Sequence, residues 1–379
     1  MTEIDGELQN STTKTFQKLH PEWFFNLVGA LYMIIFTVGA VGNIIVIYGF
    51  KSNKKLRQQS ESNKYIWHLA ITDLIFVCTL PFFAVDYFHK HVWIFGTYWC
   101  KICRFVSKVN MYSSIFFLTA LSVDRMIAVT RPTSSLWIRK ARGIFVTSIA
   151  IWCSSLAMAL PEAIYSTDTW PMFNHTICGM SFPKNSSSEE SITRWYNLMG
   201  MYELTKCVFG FFGPICIILY SYAAILYTVQ WKLIGSKDGK SRATKLAFLI
   251  VLTFIICWLP FQALSLQSAL GGFLDVIYMS DSAHGFFRKA MPYAIFLAYS
   301  NSALNPILYA FTLRPFRDGF SGGKSFWLRQ KSEKQKLLTP PAQAPQLIVN
   351  SSINHCNSMN TNSTSLTAEA KSSSIKRIV

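Results

Sequence analysis

A single carboxylate lies inside one of the long apolar stretches of this chain. Asp73 stands between Leu69-Ala-Ile-Thr and Leu-Ile-Phe-Val, where an ionisable side chain is costly and by default marks a functional site. Asn110 and Ser114 are four residues apart in another apolar stretch, so they share one face of a helix. Further amides and hydroxyls stand in the remaining apolar stretches, at Asn43, Asn301, Ser302 and Asn305.

Brought together, these side chains would form an oxygen-rich pocket with one negative charge. Oxygen donors without a nearby lysine suit a hard monovalent cation and its waters, so we expect an allosteric sodium ion and no other cofactor. The predicted ion site comprises Asp73, Asn110, Ser114, Asn301 and Asn305. The alternative is that the same groups hold helices together through interhelical hydrogen bonds.

A lysine lies within a further apolar stretch, in Leu204-Thr-Lys206-Cys-Val-Phe. A lysine at that depth is either paired or available to an anionic group. Asp86 and Glu162 stand near the ends of two other apolar stretches, and their carboxylates suit arginine or lysine groups of a ligand. The alternative for Lys206 is an internal salt bridge to Glu203 or Glu162.

The composition places these groups in a membrane protein. The 379 residues include 36 Lys and Arg against 19 Asp and Glu, a net charge of +17, and 51% are hydrophobic but only 15% charged. Soluble domains carry about 25% charged residues, and disordered chains are poor in hydrophobic residues. Nucleic-acid-binding proteins carry their basic charge on a soluble face, whereas here it lies between long apolar segments.

Seven segments are long and apolar enough to cross a bilayer as helices, which takes about 20 residues each. We call them spans 1 to 7, and they run over Phe24–Phe50, Lys64–Phe88, Trp99–Thr130, Gly143–Ile164, Asn197–Trp231, Thr244–Ser268 and Phe287–Phe311. Alternating polar and apolar strands of the transmembrane barrel type are absent from the sequence. The sequence therefore predicts an all-α bundle of seven transmembrane helices.

The connections between spans predict the orientation. Lysine and arginine concentrate after spans 1, 3, 5 and 7, and most acidic residues lie on the opposite side. Because basic loops remain in the cytoplasm, the N-terminus is expected outside the cell and the C-terminus inside, in the plasma membrane. Three glycosylation sequons, at Asn10, Asn174 and Asn185, fall on the predicted outer side, where they could be modified.

Two of the nine cysteines lie in the oxidising compartment by this map. Cys100 begins span 3 and Cys178 lies in the connection between spans 4 and 5, so a disulfide between them is expected. Cys103, one helical turn further along span 3, is the alternative partner.

Prolines and one charged pair give the spans features that a switch needs. Spans 2, 4, 5, 6 and 7 contain Pro81, Pro161, Pro214, Pro260 and Pro306. Each removes a backbone hydrogen bond and kinks its helix, and kinked helices offer two packings. Asp124-Arg125 ends span 3 on the cytoplasmic side, where the pair could contact neighbouring helix ends or a partner.

Ordered motifs along the spans give a family resemblance. They are Gly42-Asn43, Leu69-Ala70 with Asp73, Trp93-Ile-Phe-Gly96 before Cys100, Asp124-Arg125-Met126, Trp152, Pro214 with Tyr222, Cys257-Trp258-Leu-Pro260 and Asn305-Pro306-Ile-Leu-Tyr309. In this order, over residues 24–327, the chain resembles the rhodopsin-like (class A) G-protein-coupled receptors.

The resemblance implies a role for each motif. Arg125 with Asp124 would hold the bundle inactive and then receive the G protein. The further activation residues implied are Tyr222, Phe254, Trp258, Pro260, Pro306 and Tyr309. Arg314–Trp327 resembles the short amphipathic eighth helix of the family, with basic residues facing lipid headgroups. The usual Asp-Arg-Tyr reads Asp-Arg-Met here, so basal activity could differ.

Two positions argue against amine ligands and retinal by the same resemblance. Amine receptors carry an aspartate where this chain has Ser107, and opsins carry the retinal lysine where it has Tyr299. Longer stretches, such as Leu160-Pro-Glu-Ala-Ile-Tyr and Trp258-Leu-Pro-Phe-Gln, are similar to relaxin-3 and insulin-like peptide 5 receptors. Angiotensin receptors are close, and chemokine and somatostatin receptors are more distant.

The peptide branch implies a ligand site at the outer ends of the spans. Its residues would be Lys206, Asp86, Glu162, Phe83, Trp93 and Gln262. The relaxin-3 type has Trp, Glu and Asp on the edge of span 2, where this chain has Phe83, Asp86 and Lys90. The resemblance implies an extracellular peptide ligand, relaxin-like or insulin-like, with coupling to Gi/o.

The termini complete the predicted organisation. Residues 1–23 form an extracellular N-terminus, 24–329 the receptor domain with its eighth helix, and 330–379 a disordered cytoplasmic tail. The Ser/Asn-rich tail has few aromatic residues. Its hydroxyls could be phosphorylated by receptor kinases for arrestin, or the tail could be solvated without such a role.

Two other function classes fit the sequence less well. Transporters often contain symmetric repeats, and none is visible. Intramembrane enzymes need a motif such as His-Glu-x-x-His, Gly-x-Ser-x-Gly or paired aspartates, and Asp73 stands alone in its span. We therefore expect a receptor and no enzymatic activity.

Overall fold

The computed structural model is a bundle of long helices that coincide with the seven predicted spans. It describes residues 20–52, 63–131, 140–168, 176–182, 189–232, 240–274 and 281–312. The helices are Glu22–Ser52, Asn63–Val77, Leu80–Phe88, Gly96–Thr130, Ala141–Tyr165, Glu189–Cys207, Gly213–Lys232, Lys240–Leu274 and Asp281–Thr312. The predicted eighth helix and the sequons at Asn10, Asn174 and Asn185 lie outside these residues.

Among the described residues, the helices of six spans are long and apolar enough to cross a membrane. The helix of span 7 is long enough, but Ser300, Asn301, Ser302 and Asn305 make its middle more polar. Large apolar side chains such as Ile44, Phe145 and Leu226 cover the outside of the bundle. An apolar exterior is the expected outcome where lipid, rather than water, is the solvent.

Span 3 forms the centre of the bundle. In the most apolar 18-residue stretch of span 3, 56% of the residues are buried, against 28% in the corresponding stretch of span 1. Its inward residues Tyr112, Ile115 and Phe117 have at most 1% of their surface exposed. Polar residues on such a helix face other helices, so span 3 is the element that brings the predicted site residues together.

Two spans are interrupted near their prolines. Span 2 breaks between Val77 and Leu80, where Thr79 donates its hydroxyl hydrogen to the carbonyl of Phe76 at 2.7 Å. Span 5 contains a π-helical turn, Val208–Phe212, directly before Pro214. Pro161, Pro260 and Pro306 lie inside continuous helices, as does Pro292, which the sequence analysis did not single out.

A disulfide fixes the outer end of span 3. Cys100 and Cys178 are joined, with Cα atoms 5.5 Å apart, which confirms the predicted bridge and leaves Cys103 as a buried free thiol. Beside it, the two-residue strands Ser166–Thr167 and Gly179–Met180 pair antiparallel. The bridge ties the connection after span 4 across the mouth of the bundle.

Candidate functional site

Glu162 is the centre of a buried charge cluster in the outer half of the bundle. It accepts hydrogen bonds from Arg104 Nε at 2.8 Å and Nη2 at 3.3 Å. The hydroxyls of Tyr202 and Ser166 donate to it, each at 3.0 Å. The Nζ of Lys108 lies 3.9 Å away. With 1% of its side chain exposed, Glu162 is a charge compensated by protein groups from spans 3, 4 and 5.

Lys206 lies beside this cluster on span 5, with 3% of its side chain exposed. Its ammonium forms an ion pair with Glu203, one turn earlier in the same helix. It also lies 5.5 Å from the ring centroids of Tyr202 and Phe261. The structure therefore contains one of the two internal salt bridges considered for Lys206.

Asp86 lies at the outer end of span 2 and is held by a histidine. Nδ1 of His91 lies 2.5 Å from Oδ2 of Asp86, and His91 has a positive φ of 65°. Burial alone would lower the pKa of His91, but the charge and hydrogen bond of Asp86 outweigh it and raise that pKa above its ordinary value. Asp86 thus has a histidine partner that the sequence analysis missed.

Aromatic side chains line the wall between the outer ends of spans 2, 3 and 7. The ring centroid of Phe83 lies 6.1 Å from that of Trp93 and 5.9 Å from that of Tyr299. Trp93 is buried and donates Nε1–H to the carbonyl of Gly96 at 3.0 Å. Ser107 and Tyr299, the positions that exclude amine and retinal ligands, are 3.1 Å apart between hydroxyl oxygens.

Gln262 lies deeper, on span 6, and is fully buried. Its Nε2 lies 3.6 Å from the sulfur of Met111, and the thiol of Cys207 lies 3.4 Å from its Oε1. Through these contacts Gln262 links span 6 to spans 3 and 5, next to Lys206. The predicted ligand residues therefore occupy two places, with Phe83, Asp86 and Trp93 on the span 2 side and the remaining three around span 5.

Asp73 is the centre of a buried hydrogen-bond cluster that contains two of the other predicted ion-site residues, Asn110 and Asn305. Oδ1 of Asp73 accepts hydrogen bonds from Asn110 at 2.9 Å and Ser302 at 2.7 Å, and Oδ2 accepts one from Asn305 at 2.8 Å. Oγ of Ser114 and Oδ1 of Asn301 are buried and find no hydrogen-bond partner among the described residues. A carboxylate with spare oxygens beside it fits a monovalent cation. The same hydrogen bonds also connect spans 2, 3 and 7.

Asn43 of span 1 connects to the same region. Its Nδ2 donates to the carbonyls of Gly39 at 2.9 Å and Ser302 at 3.0 Å. The close approach of the two helices depends on Gly42, since a Cβ there would lie 2.7 Å from Cβ of Pro306. The Gly42-Asn43 pair is therefore part of the surface with which span 1 packs against span 7.

The half of the bundle away from the Cys100–Cys178 bridge contains the charged pair predicted for activation. Nη2 of Arg125 lies 3.0 Å from Oδ2 of Asp124. Higher in the bundle, the ring of Phe254 stacks between Phe211 at 6.3 Å and Trp258 at 5.9 Å. Two tyrosines complete the set: Tyr222, whose ring packs 5.4 Å from Phe248, and the fully buried Tyr309.

The sequence analysis missed Arg104 and Lys108. They stand four residues apart after Cys100, a spacing that places both on one face of span 3. That spacing is visible in the sequence. Only the packing of span 3 against spans 4 and 5 shows that this basic face lies inside the bundle.

Comparison with known proteins agrees with this architecture. The model of the 7 transmembrane receptor (rhodopsin family) matches residues 42–309, which spans every helix from the Gly42-Asn43 pair to Tyr309. The chain belongs to this family. It is a receptor rather than an enzyme, and the predicted seven-span fold is confirmed.

Individual relatives extend the comparison. The chain is 34% identical over 330 residues to mouse relaxin-3 receptor 1, covering 77% of this chain and 67% of that receptor. It is 36% identical over 306 residues to zebrafish apelin receptor A, covering 79% and 82%. It is 31% identical over 325 residues to Xenopus laevis type-1 angiotensin II receptor B, covering 83% and 84%. The predicted likeness to relaxin-3 and angiotensin receptors is confirmed, and the apelin receptors were not anticipated.

Proposed function

We propose that this family member is a plasma-membrane receptor for an extracellular peptide, with a relaxin-like or insulin-like peptide favoured, and that it signals through Gi/o. The observation that carries the proposal is the buried array of both charge signs between the outer ends of the spans. A small apolar ligand would have no use for buried charges, whose desolvation is costly. The charged side chains and the charged terminus of a peptide can form ion pairs with these buried groups in place of their present partners.

The ion pairs already present supply a mechanism for ligand entry. Lys206 pairs with Glu203, and Asp86 with His91, so each predicted contact has an internal partner in this conformation. An anionic peptide group would take Lys206 from Glu203, and a cationic group would take Asp86 from His91. The displaced partners Glu203 and His91 have 27% and 33% of their side chains exposed, so water can solvate them, while the more deeply buried Lys206 and Asp86 stay paired.

Agonist binding would act through a shift between two bundle arrangements. Gln262 and Phe261 of span 6 lie beside Lys206 and its neighbour Cys207, and Trp258 and Phe254 continue the path inward. Pro260 provides a kink at which span 6 can change its packing. Opening of the cytoplasmic end would then separate Arg125 from its present contacts, and Arg125, Tyr222 and Tyr309 would face the G protein.

The pocket around Asp73 is proposed as a brake on this change. The carboxylate of Asp73 and neighbouring oxygens of spans 3 and 7 would hold a sodium ion there, and the ion would supply the positive charge that this buried carboxylate lacks. Ser114 and Asn301 offer oxygens without a protein partner among the described residues. The residues of this chain would hold the ion only while span 7 stays in its present position.

The remaining partners follow from the proposed orientation. With the N-terminus outside, Asn10, Asn174 and Asn185 would be glycosylated. The tail at 330–379 would take phosphate from receptor kinases and bind arrestin. The eighth helix at Arg314–Trp327 would lie on the inner leaflet.

The decisive test measures cyclic AMP in cells that express the chain at their surface. Relaxin-3, insulin-like peptide 5, apelin, angiotensin II, somatostatin and a C-C chemokine panel are added in turn, with and without pertussis toxin. We expect a toxin-sensitive fall with a relaxin-like peptide. A response to apelin or angiotensin II alone would keep the peptide receptor and reject the relaxin-like ligand, and silence to the whole panel at confirmed surface expression would reject the proposal.

Lys206→Ala sharpens the same assay. We expect an agonist with a free C-terminal carboxylate to lose about tenfold or more in potency, the value of one charge-assisted hydrogen bond, at unchanged surface expression. Equal potency would remove Lys206 from the ligand site. Lys101→Ala is the control, since the ammonium of Lys101 donates to the carbonyl of Ile164 outside the cluster.

A further inference from the structure

We propose that Lys108 is a second anion-binding residue of the outer site and determines its specificity, so that a ligand carboxylate binds between Lys108 and Lys206 beside the ring of Phe261. The inference deepens the proposed function, on which it rests. It concerns a residue of span 3 that the family motifs do not mark and that the sequence analysis did not select.

The charge balance of the cluster leaves Lys108 undercompensated. Arg104, Lys108 and Lys206 supply three positive charges, and Glu162 and Glu203 supply two negative ones within the described part of the cluster. Arg104 holds Glu162 through two nitrogens, and Lys206 holds Glu203. One positive charge is therefore in excess. Because Arg104 and Lys206 each hold one of the two carboxylates, the excess charge is that of Lys108.

The contacts of Lys108 support this assignment. The one carboxylate oxygen that lies within 4 Å of its Nζ, among the residues described, belongs to Glu162, at 3.9 Å. That distance is too long for a hydrogen bond, and both oxygens of Glu162 already accept from Arg104, Tyr202 or Ser166. Only 13% of the Lys108 side chain is exposed, so water compensates its charge poorly.

Phe261 lies within cation–π distance of both ammonium groups. Nζ of Lys108 lies 5.3 Å from the centroid of this ring and Nζ of Lys206 lies 5.5 Å from it. A ring face attracts each cation but cannot neutralise two. A carboxylate has two oxygens, each able to accept from one ammonium, and an apolar group next to it would pack on Phe261.

The site selects the chemistry of the ligand group. Uncharged amides and hydroxyls would leave the excess charge buried and uncompensated, which costs more than a lost hydrogen bond. A second cation would be repelled. The expected ligand group is therefore a carboxylate, from either the C-terminus of a peptide or an Asp or Glu side chain.

A fragment assay tests the inference without a known agonist. The receptor is purified into lipid nanodiscs, and its thermal unfolding midpoint is measured with N-acetyl-phenylalanine or with N-acetyl-phenylalaninamide. We expect the acid to raise the midpoint and the uncharged amide to leave it unchanged. Lys108→Met should abolish the effect of the acid, Lys108→Arg should retain it, and the control Lys101→Met should behave like the wild type.

The midpoint without a probe provides an independent readout. Because Lys108 is a buried charge in excess, Lys108→Met should unfold at a higher temperature than the wild type, and Lys101→Met should not. If Lys108→Met responds to the acid as the wild type does, the inference is overturned. If the acid stabilises neither protein, the anion site is likewise rejected.

The agonist from the cyclic AMP panel then distinguishes the two sources of the carboxylate. Loss of about tenfold or more in potency on C-terminal amidation, absent in Lys108→Met, assigns the C-terminus. If amidation has no effect but Lys108→Met still loses potency, the carboxylate is an Asp or Glu side chain. A silent panel with a positive fragment assay would reject the proposed peptides and keep the anion site.

Discussion

The side-chain amide of Asn43 binds the backbone carbonyl that Pro306 leaves without a partner. In a helix the carbonyl of residue 302 would accept from the N–H of residue 306, but proline has no N–H. Nδ2 of Asn43 lies 3.0 Å from the carbonyl oxygen of Ser302 and replaces the missing donor. The kink of span 7 is therefore stabilised by span 1, next to the polar pocket of Asp73.

Asn43→Ala should lower the stability of the receptor. The substitution leaves a buried carbonyl unsatisfied, at a cost of about 1–3 kcal/mol, and we expect a lower thermal unfolding midpoint in nanodiscs. Thr37→Val is the matched control, because the exposed Thr37 hydroxyl donates to the carbonyl of Met33 within its own helix. If both variants unfold at the same temperature, the Asn43 contact does not stabilise span 7.

Asp73→Asn should abolish any effect of sodium on agonist affinity. The neutral amide keeps the size of the side chain and most of its hydrogen-bonding capacity, but it removes the charge that would attract the ion. Radioligand competition in sodium and in N-methylglucamine buffers measures the effect. Ser155→Ala serves as control, since the buried Ser155 hydroxyl donates to the carbonyl of Ile151 within its own helix. Sodium sensitivity that survives in Asp73→Asn would exclude an ion at this pocket.

Cys100→Ser and Cys103→Ser should differ. Cys100 forms the disulfide that ties the connection between spans 4 and 5 to span 3, so its loss should reduce stability by about 2–5 kcal/mol and reduce surface expression. Cys103 is a buried free thiol of similar position, so its replacement should have a smaller effect. Cell-surface labelling and thermal unfolding measure both. Equal behaviour of the two variants would contradict a structural role for the bridge.

The His91–Asp86 pair should make the receptor more stable in mild acid. The pKa of His91 is raised in the folded state by its carboxylate partner, so its contribution is complete below about pH 6.5, the ordinary value. It is lost as the pH rises through the folded-state pKa. Thermal unfolding in nanodiscs across this range should show a stabilisation on acidification that His91→Gln lacks.

His89→Gln is the matched control for that experiment. His89 is exposed, and its Nδ1 lies 2.9 Å from the carbonyl of Val85 rather than beside a carboxylate. This variant should keep the pH dependence of the wild type. A pH dependence that is the same in His91→Gln would show that the pair does not titrate in the folded receptor.

Several features of this receptor could be predicted because they depend on local sequence. The apolar segments predicted the spans to within a few residues, since each must satisfy its backbone hydrogen bonds internally within the bilayer. The orientation map left Cys100 and Cys178 in the same compartment and thereby predicted the disulfide. The recurrence of polar residues near the middle of spans 2, 3 and 7 indicated a polar cluster, and Asn110, Ser302 and Asn305 do bind Asp73.

The partners of the charged outer residues could not be predicted in the same way. Lys206 had Glu203 and Glu162 as alternatives, and the structure pairs it with Glu203 while Glu162 binds Arg104. The choice depends on how spans 3, 4 and 5 are rotated about their axes. The lengths of the apolar segments contain no information about that rotation.

The sequence by itself determined the family, the number of spans and the residues available at each depth. Tertiary structure alone decided that Lys108 turns toward Phe261 and that Asn43 reaches the carbonyl above Pro306. Both relationships join residues more than one hundred positions apart in the chain. They arise from close helix packing, in which a residue such as Gly42 sets how near two helices can approach.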